Sequence, residues 1–595
     1  MDSRWMVGRG GAWFGCLLAA VSLAAGPAFA ADPPADAEKA NDGAARFPIA
    51  QKRLEQAVRQ YVQERFAFRP VQATEAGMHA HDAKLPNLTE ATIIEEERDI
   101  RASMAKMKLI DREQLDPAAR IDFDLYSWTM ERDLYLLLSE KEHENDPGFY
   151  NFGHAIDLLI AQEVSPPEAR LQSIVGRLRD APRFLEQGRT LLRRPPQIAT
   201  RFAIEDFPGT ISYIEETVPK AFAAVKEKTL WADFDQALAG AKKAVDAHVA
   251  WMEETLLPRS DGSFVLGPER YRKRLYHEEM VGTPLDSLRA IGGRELERLE
   301  ARYRACAKRF TGGGTLEDAL AKARANHPTR DSLLAAASAM LEEQRAFSIS
   351  SGFLAMPSDD RCVVRATPEF AASRVFAMLD SPGPLETGKG QGYYTVSLPG
   401  ADWDAARTEE YLQGFNRGAL SSVSIHEAYP GHYAHHLWAR NAPSLARKTA
   451  GSGGFAEGWA LYAEEGMIDA GYGGGDPELE FGMLRWAMTR ACRFQVGLRV
   501  HTAGMSLEEA TTFFVEHAGM EPVNAEREAY RAAFDPLYIR YTLGALQIRT
   551  LRDDFKREKG DRFDLGTFHA TILSQGSLPV VLLRRMLLQD EGESL

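Results

Sequence analysis

The chain has 595 residues and a formal net charge of −14 at pH 7. This length allows one large domain or several ordinary ones, and 45% hydrophobic with 26% charged residues is typical of a globular protein. The negative charge argues against nucleic acids and anionic membrane surfaces as partners.

The first thirty residues have the pattern of a secretory signal peptide. Two arginines precede an apolar stretch (residues 12–25), and Ala28-Phe29-Ala30 matches a small-x-small cleavage site. The stretch is too short to span a bilayer comfortably, and Cys16 lies at its start, so we predict cleavage rather than a lipid or membrane anchor. We therefore expect residues 1–30 to be removed and the soluble mature protein to reach the periplasm or the extracellular space.

The next segment, residues 31–45, is rich in small, charged and proline residues, and we predict a disordered leader there. From residue 46 onward, apolar residues recur at helical spacing almost throughout. We predict a helical part over residues 46–350 that continues, as one fold, into a second part over residues 351–595. The clearest helical patterns are residues 53–68, 92–110, 119–140 and 165–192.

Two short segments in the second part favour strands. "RCVVRA" (361–366) and "YYTVSLPG" (393–400) are rich in β-branched and aromatic residues, and Pro399 ends the second segment. We predict a mainly α-helical protein with a small β-sheet just ahead of its histidine-rich segment. The strand at 393–398 is our candidate for pairing, as an edge, with an extended peptide.

The histidine-rich segment is "SIHEAYPGHYAHHLW", residues 424–438. His426 and His432 are six residues apart, which is about 240° around a regular helix, so both cannot face one ion from it. A two-residue bulge at Pro430-Gly431 would bring His432 to the position that the second histidine has in H-E-x-x-H. Two alternatives remain: an exposed helix with no site, and a metal pair of His432 with His436.

A second segment, "GGFAEGWALYAEE", favours the metal site. Glu457 and Glu464 are seven residues apart, hence on one helical face, and Glu457 has aromatic and small neighbours that indicate burial. A buried carboxylate needs a partner, and a Zn²⁺ ion would supply one. We predict His426, His432 and Glu457 as zinc ligands, with one coordination position left for water. Glu427, beside the metal, is the predicted general base, and Glu464 is expected to orient a ligand histidine.

Three motifs, "IHEAYPGHY", "FAEGWALYAEE" and "YIRYTLGALQIRTLR", resemble a large bacterial family of exported proteins catalogued as a domain of unknown function. That family is similar to the gluzincin metallopeptidases, which include thimet oligopeptidase, angiotensin-converting enzyme and the Taq-type carboxypeptidases. The resemblance implies a zincin-like helical shell with a deep cleft, and a glutamate ligand on a helix after the His-Glu helix. The six-residue histidine spacing matches the family of unknown function and departs from the characterised peptidases.

The third motif also contains the candidate donor for the oxyanion. Tyr541 corresponds to the Tyr-x-x-Gly pattern of the resembling family, and Gly544 would allow close helix approach; Tyr538 is an equal rival, and packing is the alternative role. The sequence thus predicts an exported zinc metallopeptidase that hydrolyses oligopeptides. The alternatives are a zincin-like protein that binds metal or peptide without cleavage, and a helical interaction protein without metal.

Overall fold

A computed structural model describes residues 48–367, 376–386, 391–400, 403–592 and 594–595. The predicted signal peptide and the predicted leader segment lie outside these ranges. Within them, the prediction of a mainly helical protein with one small sheet is confirmed.

The helices follow one another along the whole described chain, and the four clearest sequence patterns all fall on helices. In chain order they are α1 Pro48–Phe68, α2 Pro70–Glu75, α3 Glu90–Lys108, α4 Pro117–Tyr135, α5 Glu142–Asn145, α6 Gly153–Ala161, α7 Pro167–Leu191, α8 Gln197–Ala221, α9 Lys228–Trp251, α10 Pro268–Glu279, α11 Leu285–Thr311, α12 Leu316–Arg324 and α13 Leu333–Ser350. After the sheet come α14 Ala405–Gln413, α15 Arg417–Glu427, α16 His432–Ala439, α17 Leu445–Thr449, α18 Gly453–Asp469, α19 Pro477–Thr502, α20 Leu507–Ala518, α21 Pro522–Phe534, α22 Arg540–Lys559, α23 Leu565–Leu573 and α24 Val580–Leu588.

The sheet has three strands, β1 Val363–Ala366, β2 Ala377–Asp380 and β3 Tyr393–Val396. Their order is β1-β3-β2; β3 pairs in parallel with β1 and antiparallel with β2. The two predicted strands are therefore present, but β3 is the central strand and has no free edge. The prediction that residues 393–398 pair with a peptide as an edge is wrong, because an unpredicted third strand, β2, covers that side.

Buried apolar side chains form several clusters that hold the helices together. The largest combines helices from both ends of the chain, for example Leu54 of α1, Leu341 of α13 and Leu583 of α24, with Tyr394 of the sheet. A second cluster consists only of residues between Leu85 and Leu256, from the helices α6 to α9 and the segments beside them. The histidine-rich segment belongs to the largest cluster, since Ala428, Tyr429 and Tyr433 are buried there. None of the described helices is both long and apolar enough to cross a membrane.

Candidate metal centre

The histidine-rich segment forms two helices joined by a two-residue bulge. Asn416 caps the start of helix α15 (Arg417–Glu427), because its side chain accepts a hydrogen bond from Ala419 N at 3.1 Å. Helix α16 begins at His432. Across the junction, Gly431 N donates to Ile425 O and Ala434 N donates to Ala428 O, each a span of six residues instead of four. The chain therefore contains two extra residues here that add no rotation around the helix axis, so His432 faces the direction of a residue four positions after His426. This is the bulge that the sequence predicts at Pro430-Gly431.

Gly431 is required at this junction. A Cβ there would collide with the carbonyl oxygens of His426 and Ile425, which are backbone atoms that cannot rotate away. The bulge also frees the carbonyl of Pro430, which accepts a hydrogen bond from Trp459 Nε1 of α18 at 2.9 Å. Since Trp459 is two residues from Glu457, this bond ties the bulge to the helix that carries the third predicted ligand.

The structure groups His426, His432 and Glu457. All three are buried, and one ligand atom from each lies within 4.8 Å of the other two. Glu457 Oε2 is 3.4 Å from His426 Nε2 and 3.6 Å from His432 Nε2. Ligands about 2.0–2.1 Å from one ion at tetrahedral angles lie about 3.3 Å apart. The spacing of these nitrogen and oxygen atoms therefore fits a zinc ion.

The hydrogen bonding of the cluster fits an ion as well. His432 Nε2 and Glu457 Oε2 are buried, and neither has a hydrogen-bond partner among the described residues. Burial and Arg490 lower the pKa of His426, but Glu457 and Glu464 outweigh them and raise it to about 9. Burial raises the pKa of Glu457, but the imidazoles of His426 and His432 outweigh it and hold this pKa well below its usual value. Two buried carboxylates thus create a site that attracts positive charge.

Glu464 orients the first histidine, as expected from its position two turns after Glu457. Its Oε1 accepts a hydrogen bond from His426 Nδ1 at 2.8 Å, which turns His426 Nε2 toward Glu457. Ser422 Oγ donates to Glu464 Oε2, and Arg490 Nη2 is 3.3 Å from Glu464 Oε1. The imidazole is therefore held in one orientation.

Glu427 is the last residue of α15, directly after His426, and its side chain is half-buried. Its Oε2 accepts a hydrogen bond from the backbone N–H of Leu379 at 3.2 Å. Leu379 belongs to β2, the strand that the sequence analysis missed, so the edge of the sheet contacts the predicted general base. The short sequence "AMLD" of β2 has little β-branched or aromatic content, and no sequence signal predicted this strand.

Close helix packing sets the position of Glu457. Helix α18 crosses α22 where Gly454 and Gly458, one turn apart and flanking Glu457, meet Gly544. A Cβ at Gly544 would collide with Gly454 O and would lie 2.9 Å from Gly458 Cα. The expectation that Gly544 allows close helix approach is confirmed.

Tyr541 lies outside the group of three ligand residues. Its ring centroid is 5.8 Å from Arg490 Cζ, and its hydroxyl accepts from Arg531 Nη2 at 3.3 Å. Arg490, which sequence reasoning missed, is the residue that joins Tyr541 to Glu464. The rival Tyr538 is fully buried, and within the described part of the chain its hydroxyl has no hydrogen-bond partner.

The two remaining histidines of the segment point elsewhere. His435 Nε2 donates to Gly576 O at 3.2 Å, and burial lowers the pKa of His435 to about 4. His436 lines a cavity together with His435, and it is not in the group formed by His432. The structure thus favours the bulged His426–His432 arrangement over the His432–His436 pair.

Comparisons with known proteins agree with the resemblance to a bacterial family of unknown function and with the fold. The model of a bacterial protein family of unknown function, DUF885, matches residues 70–587. A candidate lipoprotein of unknown function from Shewanella oneidensis is 24% identical, with a TM-score of 0.76 over 90% of this chain and 99% of its own. A candidate lipoprotein from Colwellia psychrerythraea is 18% identical, with a TM-score of 0.77 over 91% of this chain and 99% of its own. No curated protein matches the chain.

Proposed function

Because the chain belongs to DUF885, a family of bacterial proteins of unknown function, we propose its function from the site alone: a zinc-dependent peptidase that hydrolyses oligopeptides. One observation carries the proposal. Two buried atoms, His432 Nε2 and Glu457 Oε2, have no hydrogen-bond partner among the residues that the structure describes and lie at a spacing that suits zinc, and a half-buried acid, Glu427, directly follows the first histidine. A site that only binds metal needs no such acid.

His426, His432 and Glu457 would hold the ion, and a bound zinc ion supplies Lewis-acid chemistry and lowers the pKa of water to about 7. Glu427 accepts the proton of the attacking water and returns it to the nitrogen that leaves. The hydroxyl adds to the carbonyl carbon to give a tetrahedral oxyanion, and the C–N bond then breaks as the nitrogen takes up the proton, so one water and one amide give a carboxylate and an amine. Glu464 keeps His426 in the orientation that presents Nε2 to the group.

The strand β2 and the side chain of Tyr541 are the candidates for contacts with the substrate. The edge strand β2 replaces β3 as the candidate for pairing with the substrate backbone, because it contacts Glu427 through Leu379. Tyr541 remains the candidate oxyanion donor, with Arg490 between it and Glu464. The order of a His-Glu helix, a glutamate helix and a later tyrosine is similar to that of the gluzincin peptidases.

We further propose that the protein is exported. The N-terminal pattern of residues 1–30 supports a signal peptide, and the two similar structures are described as those of candidate lipoproteins. Here Cys16 precedes most of the apolar stretch, which favours cleavage after Ala30 without lipid attachment.

The proposal is tested by comparing Glu427→Gln with single alanine variants of the ligands. His426→Ala, His432→Ala and Glu457→Ala are each expected to lose most bound zinc in elemental analysis, whereas His436→Ala keeps it. Glu427→Gln is expected to keep its zinc and its fold while kcat falls by about 10²- to 10⁴-fold or more, since general-base catalysis is removed. Tyr541→Phe is expected to lose about 10²- to 10³-fold.

The substrate for these assays is first found by incubating the wild type with a peptide library and detecting products by mass spectrometry. Zinc-loaded Glu427→Gln that cleaves the chosen peptide at the wild-type rate would refute the mechanism. A folded, zinc-loaded wild type that cleaves no member of the library would instead support a binding protein.

A further inference from the structure

Tyr541, the candidate oxyanion donor at the start of α22, is buried among three arginine side chains. The Cζ atoms of Arg490, Arg493 and Arg531 lie 5.8, 5.3 and 5.8 Å from the centre of its ring. Arg490 also connects the tyrosine to the metal centre, because its Nη2 is 3.3 Å from His426 Nδ1. The surroundings of the Tyr541 hydroxyl therefore bear on the proposed reaction.

Three carboxylates balance the charge of these arginines, so the cluster has no surplus charge with which to bind an anion. Because the charges largely cancel, the direction of the hydrogen bonds at Tyr541 matters more than the net charge around it. The ion pairs are Arg490 with Glu464, Arg493 with Glu528, and Arg531 with Asp535.

Arg531, on helix α21, contacts the hydroxyl of Tyr541 itself. Its Nη2 lies 3.3 Å from Tyr541 Oη and 3.3 Å from Asp535 Oδ2, so each of the two hydrogens on Nη2 has an acceptor. A guanidinium group has only donors, so the tyrosine oxygen is the acceptor in this bond. The hydroxyl proton is therefore not used toward Arg531 and is directed away from it.

The turn between α21 and α22 holds Arg531 in this position. Asp535, four residues after Arg531, accepts from it through Oδ2, and its other oxygen, Oδ1, accepts from Arg540 Nη2 at 2.9 Å. The Arg531 guanidinium also lies 5.9 Å from the centre of the Tyr538 ring. A carboxylate and an aromatic ring thus fix the donor that faces the Tyr541 hydroxyl.

We propose that Arg531 is a positioning residue for catalysis, whose hydrogen bond to Tyr541 Oη directs the tyrosine proton toward the oxyanion of the tetrahedral intermediate. This inference rests on the proposed peptidase function and adds a residue to its machinery. Hydrogen bonds in a chain polarise one another, so a hydroxyl that accepts from a cation is a stronger donor. A donor that is already oriented needs no rearrangement when the negative charge develops. Arg531 acts through Tyr541 and does not touch the substrate.

The test is a double-mutant cycle on a peptide that the wild type cleaves. Arg531→Met is expected to lower kcat about 10-fold, as for the loss of one hydrogen bond to a charged group, with KM little changed because the oxyanion forms only in the transition state. In the Tyr541→Phe background the same change is expected to have no further effect, since the hydroxyl is already absent. The control is Arg527→Met, which removes an exposed arginine one turn earlier on α21 and leaves kcat unchanged.

The cycle separates this role from packing alone. If Arg531 only joined α21 to α22, Arg531→Met would lower kcat by the same factor with and without the Tyr541 hydroxyl, and that result would overturn the inference. An unchanged kcat in Arg531→Met would also overturn it. Should Arg531→Met fail to fold, Arg531→Lys keeps a positive charge beside Asp535 and is expected to lower kcat several-fold, again only when the hydroxyl is present.

Binding is measured separately, by calorimetry, so that the outcome does not depend on turnover. The probe is an N-acetylated tetraalanine whose central amide is replaced by a phosphinate, which places a negative oxygen where the oxyanion forms. Wild type is expected to bind it about 10-fold more tightly than Arg531→Met, with no such difference in the Tyr541→Phe background. This result supports the positioning role even if the wild type cleaves no peptide.

Two results of the binding experiment would overturn the inference: equal affinity of wild type and Arg531→Met for the phosphinate, or no binding by either. Peptide cleavage by the wild type, together with equal effects of Arg531→Met in both backgrounds, would leave the peptidase proposal intact and remove this one.

Discussion

Replacing Gly544 by alanine is expected to push α22 away from α18 and to reduce stability. The added Cβ would collide with Gly454 O and lie 2.8 Å from Gly454 C and 2.9 Å from Gly458 Cα. These are backbone atoms, so the helices must separate, and overpacking of this kind costs typically about 1–3 kcal/mol. Alanine gains up to about 1 kcal/mol over glycine in a helix. Because the obstacles are backbone atoms, we expect the cost to prevail, with a net loss of about 2 kcal/mol.

The same substitution is expected to weaken zinc binding without touching a ligand. Glu457 lies between Gly454 and Gly458, so a shift of α18 moves Glu457 Oε2 away from the two histidines. The loss of an outer partner of a metal ligand typically costs 10- to 100-fold in affinity, and we expect about the same here.

Urea unfolding and zinc titration measure the two effects. Gly240→Ala is the matched control, because Gly240 is inside helix α9 and, beyond the neighbouring backbone of that helix, none of the described atoms lies within 4 Å of its would-be Cβ. This control is expected to gain up to about 1 kcal/mol and to bind zinc like the wild type. A Gly544→Ala protein that equals the wild type in both measurements would refute the packing argument.

Three further outcomes are expected. Glu464→Gln should weaken zinc binding about 10- to 100-fold in a competition titration, whereas Glu465→Gln, its neighbour outside the site, should not. His248 has no hydrogen-bond partner in the described chain, and burial, aided by Arg189, lowers its pKa to about 3. Between pH 6.5 and 3 the unfolded chain binds a proton that the folded chain does not, so stability falls as pH falls. His248→Phe should remove about 1.4 kcal/mol per pH unit of this slope in urea unfolding; an unchanged slope would contradict the assignment. N-terminal sequencing of the exported protein should begin at Ala31, and an intact residue 1 would disprove cleavage.

The sequence predicts the grouping of His426, His432 and Glu457 because its signals are local. Pro430-Gly431 interrupts a helix by steric rules, and the seven-residue spacing of Glu457 and Glu464 fixes both on one face. The role expected for Glu464 toward His426 follows from that spacing and agrees with the 2.8 Å hydrogen bond.

Features that depend on distant segments were not predictable in the same way. The strand β2 forms because β3 offers it a partner, and its own four residues carry no strand signal. Arg490 contacts Glu464 from α19, and nothing in its local sequence distinguishes it from other helical arginines.

The bulge between α15 and α16 bears on how such sites are found in sequences. Motif definitions count residues along the chain, whereas the direction of a ligand depends on how many helical hydrogen bonds separate it from its partner. The bonds from Gly431 N to Ile425 O and from Ala434 N to Ala428 O absorb two residues without adding rotation. A pattern that requires a four-residue interval does not match His426 and His432. These two histidines nevertheless have the same relative orientation around the helix as the two histidines of the shorter motif. A pattern that allows a two-residue insertion ending in glycine would recognise both forms as one arrangement.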